Sequence, residues 1–63
     1  MKLIKSYDGK PINTGDMVRD QRGAVWVVEG HDYDRREVYL RDTTEKRMHR
    51  TARAGDVGVE WVD

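Results

Sequence analysis

Sixty-three residues make one domain at most, spanning 1–63, and a folded chain of that size buries only about 60% of the surface its unfolded form exposes. Cysteine is absent, which excludes disulfides, thiolate metal sites and cysteine nucleophiles together. The 12 basic and 12 acidic residues cancel, so no global field draws the chain onto nucleic acid or anionic lipid.

From the N-terminus, Met1 to Lys5 shows neither a long apolar run nor a small-residue cleavage site, and nowhere do apolar residues approach the roughly 18 of a membrane span. A soluble, untargeted, cytoplasmic protein without membrane association is expected. Turn residues recur at Asp8-Gly9, Asn13 to Asp16, Gln21 to Gly23, Gly30 to Arg36, Asp42 to Lys46 and Ala54 to Asp56. The segments between them suit short strands: Leu3 to Tyr7, Met17 to Asp20, Ala24 to Gly30, Glu37 to Arg41 and Val57 to Val62.

Alternation assigns the faces of these strands. Ala24, Trp26 and Val28 share one face and Val25 and Val27 the other, so apolar groups on both sides mark a central strand. Val38 and Leu40 point inward, while Glu37, Tyr39 and Arg41 point out, as on a half-exposed antiparallel strand. The two segments pair as a hairpin across His31 to Arg36. Val57, Val59 and Trp61 fall together on the last strand, which can seal a barrel by pairing with the first.

Between Thr44 and Gly55 two readings compete. Intrinsic propensity suits a helix over 45–54, capped by Thr44 and ended by Gly55, but its apolar stripe would be only Met48 and Ala52. A strand from Arg47 to Thr51 instead completes the meander. The expected fold is therefore all-β, a small SH3-like barrel or strongly bent antiparallel sheet of five to six strands, with a sheet plus one helix at 45–54 as the alternative. Its core is expected to hold Leu3, Ile12, Val18, Trp26, Val28, Val38, Leu40, Met48, Val59 and Trp61.

The runs Thr14-Gly15-Asp16-Met17-Val18, Gly23 to Val28 and Val38 to Arg41 resemble the small SH3-like barrels of the KOW type over about the middle half of the chain. The whole chain, including Gly58 to Val62, is similar in length and style to short accessory proteins encoded by bacteriophages. That resemblance implies action on a host component, or on phage nucleic acid, in the host cytoplasm.

No residue set for catalysis is visible. His31 and His49, with Asp32 and Asp34, lack the spacing of a metal site, and the two aspartates lack the calcium-loop pattern that ends in glutamate. Ser6, the only serine, has no nucleophile elbow around it, and no glycine loop precedes a helix to cradle phosphate. No enzyme activity, cofactor or metal is expected. Binding remains. The stretch from Arg35 to Arg53 carries seven basic residues against three acidic, a net +4 balanced by −4 elsewhere. Within it Tyr39 is the outward aromatic, and Tyr39, Arg41, Arg47, His49 and Arg50 are the candidate partner-binding residues, with Arg41, Arg47 and His49 expected beside Tyr39 on one face. The expected function is a non-catalytic protein-binding module modulating a host complex; the alternative is a nucleic-acid-binding barrel using the basic 35–53 stretch.

Overall fold

The computed structural model describes residues 2–45 and 47–63; Met1 and Lys46, the latter one of the basic residues of the 35–53 stretch, lie outside the described residues. The alternating segments form strands β1 (Lys2–Lys5), β2 (Met17–Arg19), β3 (Val25–Asp32), β4 (Glu37–Asp42), β5 (His49–Ala52) and β6 (Val59–Val62), with one 3-10 turn at Ala54–Val57. They build two antiparallel sheets, a meander in the order β2-β3-β4-β5 and a two-stranded sheet of β1 with β6. The fold is all-β, and the first and last strands pair as their patterns predict, Leu3 opposite Trp61 and Lys5 opposite Val59. The other side of β1 is also engaged, because the Ile12 N–H donates to the Leu3 carbonyl at 2.8 Å.

The alternative helix over 45–54 does not form among the described residues. The Asp42 Oδ1 accepts the Thr44 N–H at 2.7 Å and the Glu45 N–H at 3.1 Å. Bonds of this kind serve a turn and a helix N-cap alike, so it is the hairpin that follows which excludes the helix. The Asp42 N–H then donates to the Met48 carbonyl at 2.9 Å and closes the hairpin into β5. The 3-10 turn stops at Gly58, whose φ of 68° lies in the left-handed region that glycine enters without steric cost.

Leu3, Ile12, Val18, Trp26, Val28, Val38, Leu40 and Val59 are buried as expected, and Trp61 packs against them half-buried. In register, Val18, Trp26 and Asp42 stand side by side, Val28 and Leu40 follow, and Val38 faces Ala52. One expected core residue is misplaced. Met48 is 53% exposed, because β5 begins only at His49 and Met48 sits at the far end of the ladder, opposite Asp42. Its place in the core is taken by Ala52, Ala54 and Val57. Met48→Gln is accordingly expected to change unfolding free energy by no more than about 0.5 kcal/mol, the range of ordinary surface substitutions; urea titration of both proteins checks it.

Candidate functional site

One face of the four-stranded sheet packs inward and the other is left open. Register places Met17, Val27, Arg41 and His49 in one row across all four strands, with Tyr39 and Thr51 side by side in the next. Met17 is exposed, and Val25, Val27, Tyr39 and Arg41 are half-buried on this outer side. An apolar strip thus runs from Met17 through Val27 to Tyr39, flanked by charge.

A β-bulge sharpens the centre of this face. The ladder between β3 and β4 shifts between Val28 and Gly30, so Glu29 is the extra residue. Bulges re-aim side chains, and the Glu29 carboxylate meets the His49 ring with Oε1 2.6 Å from Nδ1. Gly30 stands opposite Tyr39, and a Cβ there would lie 3.8 Å from Tyr39 Cδ2. The tyrosine ring therefore lies within ordinary van der Waals reach of the Gly30 position.

Of the candidate residues, Tyr39, Arg41 and His49 come together on this face, with Arg41 directly opposite His49. Arg47 does not join them on a strand, since it lies in the turn before β5. Arg50 is on the other side of the sheet, opposite inward-facing Leu40. Its guanidinium stands 3.3 Å from Asp20 Oδ2 and 5.5 Å from the centre of the Trp26 ring.

Asp20 organises that inner corner. Its side chain is only 8% exposed, and it accepts hydrogen bonds from Trp26 Nε1 (3.1 Å) and from the Arg22 (2.9 Å) and Ala24 (3.0 Å) amides. The indole donor is the largest influence holding this carboxyl below the usual aspartate value; burial opposes it, and the two amides and Arg50 reinforce it.

The basic stretch is split by the fold. Arg35, Arg36, Arg50 and Arg53 line one shallow hollow together with the carboxylates Glu37 and Asp56. At its edge, Arg36 takes a positive φ of 56° in the β3–β4 hairpin and lays its guanidinium 3.6 Å from the centre of the Tyr33 ring. His31 is exposed and packs edge-on against Trp61 at 5.3 Å. It is on the opposite side of the sheet from His49, and among the described residues no three His, Cys, Asp or Glu side chains converge.

No known protein family, curated protein or solved structure matches this chain. The open face itself contains residues that composition and motif did not single out, Met17, Val27 and Glu29. Alternation offered a signal for all three, since Val18 pointing inward turns Met17 outward and Val25 pointing outward brings Val27 and Glu29 to the same side; Gly30 inside the strand was the signal for the bulge.

Proposed function

We propose that this chain is a non-catalytic protein-binding module whose open sheet face receives the partner. The observation that carries the reading is the strip of Met17, Val27 and Tyr39, uncovered by the second sheet and bordered by Arg41 and the Glu29–His49 pair. An aromatic ring within an apolar strip supplies a large contact area, and charges of both signs around it set specificity and encounter rate. The similarity in length and style to phage accessory proteins supports a partner belonging to a host complex in the bacterial cytoplasm.

The second reading, a nucleic-acid-binding barrel, is favoured by the hollow that gathers Arg35, Arg36, Arg50 and Arg53. One experiment separates the two. The purified chain and its Tyr39→Ala variant are used to capture proteins from bacterial lysates, while labelled oligonucleotides are titrated at about 50 and 200 mM salt. A protein retained by the wild type and lost with Tyr39→Ala supports the first reading. Failure to enrich any protein across several hosts, with oligonucleotide binding that weakens steeply with salt and disappears in Arg53→Glu, replaces it with the second.

A further inference from the structure

The meander ends at β2, which has β3 on one side only. Residues opposite one another in an antiparallel ladder alternate between hydrogen-bonded and non-hydrogen-bonded pairs. Here the Val28 N–H donates to the Asp16 carbonyl at 2.8 Å and the Asp20 N–H to the Ala24 carbonyl at 3.0 Å. These fix Val18 with Trp26 as the hydrogen-bonded pair between them, and Met17 with Val27 and Arg19 with Val25 as the others. The N–H and C=O groups of Met17 and Arg19 therefore point away from β3.

They point along a groove. Met17, Arg19 and Val25 form one of its sides, and Lys5, Tyr7 and Val57 line the rest. Tyr7 is 81% and Met17 67% exposed, so two of the three large apolar side chains exposed on the described surface border this one groove. Both charged side chains lining it, Lys5 and Arg19, are cationic. Of the acidic residues next to groove residues in sequence, Asp8 accepts the Lys10 N–H, Asp16 the Asn13 N–H and Asp20 the Trp26 indole, while Asp56 and Glu60, beside Val57 and Val59, do not line the groove.

We propose that this groove takes an extended, acidic segment of a protein partner, added to the sheet as a strand beside β2. The segment's backbone pairs with Met17 and Arg19, alternate apolar side chains enter the groove, and its carboxylates meet Lys5 and Arg19. Strand addition draws affinity from backbone hydrogen bonds and specificity from alternate side chains. The proposal rests on the protein-binding reading and narrows the partner's chemistry; the groove shares Met17, Arg19 and Val25 with the open face, so one partner spans both. A second copy fits less well, since joining β2 to β2 would crowd the Lys5 and Arg19 cations of both chains together, and like charges across an interface are costly. A nucleic acid would satisfy the cations but offers no strand backbone to Met17 and Arg19.

The test uses a labelled seven-residue peptide alternating aspartate and valine, titrated into the full chain by fluorescence polarisation and by amide NMR. Saturable binding is expected, with the largest shifts at Lys5, Met17, Arg19 and Val57 and slowed exchange of the Met17 and Arg19 amides. Replacing the peptide's backbone N–H groups by N-methyl groups should abolish it. Arg19→Glu, at an exposed site, should weaken the acidic peptide about ten-fold and bind the alternating lysine–valine peptide about ten-fold better than wild type does. No binding up to about 1 mM, equal binding of both peptides by the wild type, unaffected binding of the N-methyl peptide, or self-association that Arg19→Glu alters while the peptide does not bind, would each overturn the proposal. If a lysate partner is lost with Tyr39→Ala but kept with Arg19→Glu and Lys5→Glu, the strand-addition assignment fails while the protein-binding reading stands.

Discussion

Trp26→Ala should leave the chain unfolded at room temperature. Trp26 is 7% exposed in the middle of β3, flanked in register by Val18 and Asp42, and its indole N–H is bound by Asp20. Truncating a buried tryptophan costs about 3–5 kcal/mol through lost burial and the cavity left behind. A domain of this size has a total stability of about 3–5 kcal/mol, so the loss consumes nearly all of it. The variant keeps Trp61 as its single tryptophan, a reporter half-buried against the core. Expected results are a random-coil circular dichroism spectrum, solvent-exposed Trp61 fluorescence and no cooperative urea transition. A sigmoidal transition near the wild-type midpoint would show that the core does not depend on this ring. Trp26→Phe separates the two contributions, since it restores most of the ring but leaves Asp20 without the indole donor.

The second large effect concerns acid. The Asp20 carboxyl lies below its ordinary value of 3.8 in the folded chain, chiefly because the Trp26 indole donates to its charged form. A carboxyl depressed by folding adds stability that is fully present above its unfolded value and is lost as pH falls through its folded one. Wild-type stability should therefore be insensitive to this group from neutrality down to about pH 4.5 and should drop below the ordinary aspartate range. Asp20→Asn keeps the shape, but turns an amide N–H₂ towards donors that need an acceptor. It should be less stable than wild type at neutral pH, second only to Trp26→Ala, and the gap should narrow in acid as the wild type loses its charge. Urea midpoints of both proteins at about pH 7, 5, 4 and 3 check this; a gap that stays constant over the series would mean the carboxylate charge contributes nothing at this corner.

Alternation alone determined which side chains of β3 and β4 face inward, because successive residues on a strand point to opposite sides whatever surrounds them. For the same reason Tyr39 and Arg41 were legible as outward residues of one face, and the turn residues were sufficient to separate the strands. Local sequence could not decide between helix and strand near residue 48. The decision lay in pairing with β4, which begins with the hairpin bond from Asp42 to Met48 and continues through the β4–β5 ladder. Met48 itself shows the limit of periodicity: alternation gives the side of a sheet, while burial depends on whether the other sheet reaches that far along the ladder. Alternation from His49 turns Arg50 to the face opposite Tyr39, but only the tertiary structure brings it to Asp20, thirty residues away, and to the Trp26 ring. The β2 groove draws on residues 5–7, on β2, on Val25 of β3 and on residues 57–59, four stretches brought together only by the fold. Strand faces follow from the geometry of each residue and its neighbours, whereas a groove and its charge exist only once distant segments have been brought to one place.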